Sequence, residues 1–262
     1  MNSKYYLTEE IKPQVNKMGN VAFTSDDVIF DWTAFEIPKG TAVIKSFSIK
    51  VAGTNGSSQT QNFDLFFARS IDGVAPPTLG DSNDAKNLIK TTAAKPYIIG
   101  YHGVDASETE DLADSLVGYN VYGNGKGNTA DISYPQQNPI FLEGEHDFPG
   151  DSNYSKTTPG YQTLWVACTG GAFDFGTGVN IAGDNAADHL TIDVDGTDAD
   201  DIFAVGDTVI AFDADGSGET TIGKVTALTD AVVTVDAAPS LIADDDELCN
   251  LNPITFRFGI EY

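Results

Sequence analysis

At 262 residues the chain is long enough to bury a substantial core, as one large all-β domain or as two smaller ones. Its 39 acidic residues against 14 lysines and arginines give a formal net charge of −25. That surplus argues against nucleic acid and anionic lipid as partners, because both reward clustered basic side chains, and the longest basic candidate, Lys45–Lys50, holds only two lysines. No apolar run approaches the roughly 18 residues of a membrane span, and residues 1–20 lack the apolar stretch of a secretory leader, so neither is expected.

In chain order, residues 1–26 read as an N-terminal arm or an edge, with Tyr5, Tyr6 and Leu7 as docking residues. The first clear β unit is Asp27–Val51. Ile37-Pro38-Lys39-Gly40 supplies a turn, and in Phe47-Ser48-Ile49-Lys50-Val51 the odd positions face a core. Asn62–Ala68 follows as a strand with Phe63, Leu65 and Phe67 on one face. Phe66 falls on the other face, either covered by a loop or open to a partner.

Residues 71–137 are the least regular stretch. A loop is expected around Pro76-Pro77 and Gly80, and helical turns over Asp84–Lys90 and Glu108–Leu116, the latter from the Leu112 and Leu116 pair. Tyr97–Tyr101 reads as a short strand between them. The run Gly123-Asn124-Gly125-Lys126-Gly127-Asn128 is a loop of residues that tolerate positive φ. Strands resume at Pro139–Leu142 and Thr163–Cys168, separated by an exposed loop over Asp147–Gly160. Gly170-Gly171 then breaks the chain before Ala172–Phe175. The terminal run Pro253–Tyr262 is the most regular, apolar at every even position, and it should be fixed in a sheet.

Composition changes at Asp184. From 184 to 247 there are seventeen acidic residues and one lysine, Lys224, a local net charge of −16. The same segment holds strand patterns at Leu190–Ile192, Thr208–Phe212, Thr220–Val225 and Ala231–Val235. Val205-Gly206-Asp207-Thr208-Val209, the Asp215-Gly216 turn and Ile222-Gly223-Lys224-Val225 resemble SH3-like small barrels over residues 188–247. The expected organisation is therefore an arm (1–26), a β-sandwich host (27–183 and 248–262) and an inserted acidic small β-barrel (184–247). The rival arrangement is one continuous sandwich with long acidic loops.

Two acidic loops are candidate calcium sites. In Asp193-x-Asp195-Gly196-Thr197-Asp198-x-Asp200, carboxylates recur around a tight turn, and Asp213-x-Asp215-Gly216 opens in the same way. Asp193, Asp195, Asp198 and Asp200 are the candidate metal ligands, although the glycine position, the absent terminal glutamate and the absent flanking helices depart from an EF-hand. Turn formation on a solvated surface explains the same residues without an ion. His102, His146 and His189 lie at no zinc spacing with Cys168 or Cys249, and two cysteines make no disulfide framework. No nucleophile elbow, P-loop or dinucleotide fingerprint occurs, so no enzyme and no required cofactor is expected. Tyr97, Tyr101, Tyr119 and Tyr122, beside glycine- and asparagine-rich loops, join Tyr5, Tyr6 and Phe66 as candidate interface residues.

The segments Phe35-Glu36-Ile37-Pro38-Lys39-Gly40-Thr41-x-Val43-Ile44-x-Ser46-Phe47-Ser48-Ile49 and Leu164-Trp165-Val166-Ala167 resemble the jelly-roll or β-sandwich decoration (cement) proteins of marine tailed bacteriophages. The resemblance implies a non-catalytic virion protein on the outer capsid surface, assembled in the host cytoplasm. It also implies a homotrimer that docks on the major capsid protein or another virion protein. The competing expectation is a carbohydrate- or receptor-binding module of a phage tail or cell surface, dependent on calcium at the Asp193 loop.

Overall fold

Period-two alternation of β-branched and aromatic residues runs through most of the chain, and the resulting fold is all β. The computed structural model describes residues 6–15, 23–38, 40–52, 59–80, 95–113, 116–121, 140–143, 161–175, 179–183, 189–196, 199–213, 218–239 and 242–262. In chain order its strands are β1 (Tyr6–Ile11), β2 (Asp27–Pro38), β3 (Thr41–Ala52), β4 (Phe63–Arg69), β5 (Ile98–Val104), β6 (Thr109–Ala113), β7 (Leu116–Val121) and β8 (Ile140–Glu143). Then come β9 (Tyr161–Gly170), β10 (Val179–Asn180), β11 (Thr191–Asp193), the one-turn helix α1 (Ala199–Ile202), β12 (Thr208–Phe212), β13 (Thr220–Thr229), β14 (Val232–Val235), β15 (Glu247–Asn250) and β16 (Ile254–Glu261).

The strands pair antiparallel in three sheets. The first runs β1-β16-β3-β7-β6, with β8 also on β3; the second runs β2-β9-β4-β5; the third runs β10-β15-β12-β13-β14-β11. The side chains of the first two meet in one core. In β16 the alternation read from the sequence is reproduced, with Ile254, Phe256, Phe258 and Ile260 buried. The Phe256 ring lies 5.5 Å from Phe30 of β2, and Phe258 lies 5.6 Å from Phe35 of β2 and 5.7 Å from Phe67 of β4. Tilted and edge-on rings at these separations add to the apolar area they bury.

The third sheet curls into a half-barrel. Its two edges meet at an isolated bridge between Ile181 and Val194, supported by the Ala182 amide donating to the Asp193 carbonyl at 3.0 Å. The filling is aliphatic: Val179, Ile192, Val209, Ile222, Val233 and Leu248 share a cluster in which Phe203 is the aromatic member. Strands β12 and β15 serve both cores. Val209, Ala211 and Leu248 face the half-barrel, while Ile210, Phe212 and Cys249 belong to the aromatic core of the other two sheets.

A buried polar joint links the same regions. Asp207 accepts hydrogen bonds at Oδ2 from the Asn250 side-chain amide (2.8 Å) and the Ala204 backbone (3.0 Å), and its Oδ1 pairs with Lys12 Nζ at 3.3 Å. Asn252 in turn donates to the carbonyls of Lys12 and Pro13.

One open alternative is decided and one expectation changes. Residues 6–11, read as an arm or an edge, are an edge strand: β1 pairs with β16 from Tyr6↔Glu261 to Ile11↔Phe256, and Glu10 and Arg257 form an exposed ion pair at 2.7 Å. The helical turns expected over Glu108–Leu116 are replaced by a 3-10 turn, Ala106–Glu108, and by β6, which pairs with β7. Leu112 and Leu116 have helical spacing, yet Leu112 instead lies across Gly118, where an added Cβ would come within 2.8 Å of its Cδ1. The ladder pairs Thr109, Glu110, Asp111 and Ala113 with β7, whereas one isolated helical turn leaves most of its backbone groups unpaired. The expected turn over Asp84–Lys90 lies outside the described residues. No helix among the described residues is long and apolar enough to cross a membrane.

Candidate functional site

Antiparallel order brings four chain segments to one end of the second sheet: the turn entering β2, the start of β4, the end of β5 and the end of β9. Between them opens a cleft of about 270 Å³ lined by Ser25, Asp26, Gln61, Asn62, Asp64, Asp105 and Thr169, with Phe63, Val104 and the Gly170-Gly171 backbone.

Each wall is held by local hydrogen bonds. At the β2 entry, Asp27 Oδ2 accepts from the Thr24 amide (2.6 Å) and the Thr24 hydroxyl (2.8 Å). This turn sets Asp26 at φ 73°, a left-handed conformation that aspartate tolerates better than most residues, and the Asp26 amide donates to the Gly170 carbonyl. The β4 wall is anchored from below by Tyr119, which is 3 % exposed. Its hydroxyl accepts from the Gln61 amide at 2.8 Å and lies 3.0 Å from the Gln61 carbonyl, while its ring packs edge-on against Phe63 at 5.2 Å. Asn62 Oδ1 accepts from the Ala106 amide at 2.6 Å, and the Asn62 carbonyl accepts from Gly171.

The glycines at the end of β9 permit this close approach. A Cβ at Gly170 would stand 2.5 Å from Ile29 Cδ1 and 2.8 Å from Phe63 Cβ, and one at Gly171 would stand 3.1 Å from the Asn62 carbonyl oxygen.

Charge and polarity are unevenly matched in the cleft. Among the described residues, the charged side chains that line it are Asp26, Asp64 and Asp105. Asp64 Oδ1 accepts from the Tyr101 hydroxyl at 2.8 Å; burial first, and then the bond to and charge of Asp64, push that phenol up to about 12. Asp105 Oδ1 accepts from the Ser107 amide, which holds this exposed carboxyl below its ordinary value.

Thr169 is the exception to this satisfied framework. In β9, Leu164, Val166 and Cys168 point to the aromatic core, and Ala167 packs on the opposite face with Val28 and Leu79. Thr169 shares that opposite face, between Val28 of β2 and Asp64 of β4. It is 1 % exposed, and its Oγ1 has no hydrogen-bond partner among the described residues. A buried hydroxyl is ordinarily bonded, and this one, with almost no accessible surface of its own, is the exception among the described side chains.

The residues singled out in the sequence are distributed differently. Phe66, at 6 % exposed, is covered, its ring 5.4 Å from Tyr101, so it offers no contact surface. Tyr119 is likewise buried and acts inward on Gln61. Its place on β7 opposite Ile49 turns it into the core, which corrects its reading as an interface residue. Tyr101 is 45 % exposed at the rim of the Asp64 pair, and Tyr97 is half-buried. Tyr6 lies in β1 opposite Glu261. Tyr5 and Tyr122 lie outside the described residues.

Of the candidate calcium ligands, Asp193, Asp195 and Asp200 are exposed, and Asp198 lies outside the described residues. Among the described residues no group of three or more histidine, cysteine or acidic side chains is placed to hold a metal ion. Several acids of the half-barrel bond to backbone amides at turns: Asp236 to Lys224, Asp244 to Gly183 and Asp246 to Ala243. Such bonds are what aspartate contributes to a turn without any ion.

Cys168 and Cys249 are buried free thiols, and desolvation pushes both above the ordinary thiol range. His102 is buried on the core side of β5, and desolvation holds its imidazole below the usual value.

Sequence reading missed the cleft. The traces it left are small: a charge at Asp64 inside an aromatic strand, a threonine closing the apolar run of β9, and a glycine pair behind it. No protein-family model matches the chain and no curated protein matches its sequence, so what the protein does has to be argued from this cleft and from the distribution of charge.

Proposed function

We propose that the chain is a non-enzymatic structural protein of a tailed-bacteriophage virion, a decoration subunit on the outer capsid surface. In this reading the two facing sheets form a jelly-roll-like sandwich that attaches, and the half-barrel is an acidic module inserted into it and turned to solvent. The observation that carries the proposal is the division of charge in space. Asp193, Asp200, Asp213, Asp230 and Asp236, from separate parts of the half-barrel, are all exposed, and residues 184–247 hold −16 of the net charge, leaving −9 for the rest. A surface so charged is costly to desolvate and repels its own copies, which suits an outward face and not a docking one.

The sandwich offers the attachment surface. β1 is an edge strand whose only described ladder is to β16, so its outer edge can extend a neighbour's sheet. A homotrimer joined through such edges is the assembly this reading expects. Particles purified from the native source, disrupted and sedimented, test it: the chain should travel with the capsid at fixed stoichiometry and come off as a trimer. A monomer found only in the unsedimented fraction would overturn the proposal.

A further inference from the structure

We propose that the polar joint at the end of β15 is a modification site, at which the Lys12 amine and the Asn250 side-chain amide close an intramolecular isopeptide bond with Asp207 as the proton carrier. Three observations converge. One carboxylate holds both reacting groups: Lys12 Nζ lies 3.3 Å from Asp207 Oδ1, and Asn250 Nδ2 donates to Asp207 Oδ2 at 2.8 Å. Asn250 Oδ1 accepts from the Asn252 backbone N–H at 2.8 Å, a donor placed where negative charge gathers when the amide carbon is attacked. The backbones are also pinned side by side, because Asn252 Nδ2 donates to the Lys12 and Pro13 carbonyls at 3.2 and 3.0 Å and the Val15 amide donates to the Leu251 carbonyl at 2.9 Å.

The fold sets each part of this triad. Asp207 ends the turn before β12, where its Oδ2 is fixed by the Ala204 amide at 3.0 Å, and Asn250 ends β15 opposite Val209 of β12. Both side chains are buried, whereas that of Lys12, 39 % exposed, reaches in from the surface just after β1. The amine thus arrives at an amide that water reaches poorly, which favours attack by the amine over hydrolysis. Holding nucleophile and electrophile on one carboxylate replaces a bimolecular encounter by an oriented one.

Asp207 takes a proton from the Lys12 ammonium, and the freed lone pair on Nζ forms a bond to Asn250 Cγ while the charge that develops on Oδ1 falls to the Asn252 N–H. Asp207 then passes its proton to Nδ2, the Cγ–Nδ2 bond breaks with its electron pair on the nitrogen, and the departing ammonia takes a second Nζ proton through the same carboxylate. An ammonium and a carboxamide become a secondary amide and an ammonium ion, with charge conserved and Asp207 returned to its starting state. The bond ties the N-terminal strand to the end of β15 across nearly the whole chain, and so restricts the unfolded chain as a long-range disulfide does. Until it closes, the same groups hold the joint by hydrogen bonds and the ion pair alone. The inference does not depend on the virion reading, because it concerns three side chains of one chain.

Mass spectrometry of the purified intact chain, held at neutral pH until its mass is constant, tests the bond. The wild type should weigh one ammonia less than its sequence, and proteolysis should release a branched peptide in which Lys12 is joined to Asn250. Lys12→Arg keeps the ion pair with Asp207 but cannot close the amide, and Asp207→Asn keeps an acceptor for Asn250 but cannot carry the proton; both should retain the full mass. On denaturing gels the wild type, closed into a loop, should run ahead of Lys12→Arg, and its Tm should be higher. A full-mass wild type, an ammonia loss that yields only unbranched peptides, as a succinimide would, or a loss that persists in Lys12→Arg would each overturn the assignment.

Discussion

The two cores of this molecule are filled differently. In the core shared by the first and second sheets, Phe30, Phe256, Phe258 and Phe67 meet ring to ring, as do Phe23, Phe175, Phe173 and Phe63, whereas the half-barrel is packed with valine, isoleucine and leucine around Phe203. Rings from strands of both sheets meet in the first core, as Phe30 and Phe67 do with Phe256 and Phe258. The curled third sheet is filled instead by branched aliphatic side chains. Charge divides along the same line, since the segment that builds most of the aliphatic region, residues 184–247, carries −16 of the net charge of −25. Core size and surface charge are thus set separately in each region, although β12 and β15 belong to both.

The largest effect should come from the shared layer. Phe256→Ala removes a ring that contacts Phe30 and Phe258 and should cost about 3–5 kcal/mol. If the cores are coupled through Ile210, Phe212 and Cys249, urea unfolding followed by tryptophan fluorescence and by hydrogen exchange in β13 and β14 should shift together. Separate transitions would break the coupling.

Asp207→Ala should come next, at about 2–3 kcal/mol, because it strips the buried Asn250 amide and the Ala204 N–H of a charged acceptor. Loss of exchange protection in the half-barrel ahead of β16 would place its effect at the joint. Ile192→Val trims the aliphatic core alone and should cost about 0.5–1.5 kcal/mol, read from the urea midpoint, with the amides of β2 and β4 unaffected.

The smallest effect is a pH dependence seated in the aromatic region. The pKa of His102 is lowered in the folded state by burial, so below the unfolded value of about 6.5 the unfolded chain binds the extra proton. Its contribution is complete above that pH and is lost as the pH falls below it. The urea midpoint of the wild type, relative to His102→Gln, should therefore fall between pH 7.5 and 5.5.

What could be read in advance follows from where the information lies. β16 was legible because its partners on both sides demand the same alternation, and the strands of the acidic segment were legible because short turns separate them. β6 was misread because Leu112 and Leu116 satisfy helical spacing as well as a hairpin. β1 was ambiguous because its only described partner lies about 250 residues away in sequence. The cleft was illegible for a stronger reason: Asp26, Asn62, Asp64, Asp105 and Thr169 are individually ordinary turn and strand residues. Only the order β2-β9-β4-β5 brings them together. Phe66 and Tyr119 show the converse, since an aromatic at an outward or loop-flanking position can still be covered by a neighbouring strand.

The pairing of Asn180 with Glu247 bears on how such a chain could be rebuilt. Cross-strand partners lie about 5 Å apart, so everything between them departs and returns at a single gap that a two-residue turn could close. Shortening the gene there is simple on paper and would remove most of the net negative charge. The excised piece, however, takes Ile210 and Phe212 with it, and these are stoppers in the wall of what remains. A viable miniature would need two compensating large side chains facing Phe256 and its neighbours, and any lineage that exchanged this segment for another would have had to keep the stopper while changing the rest.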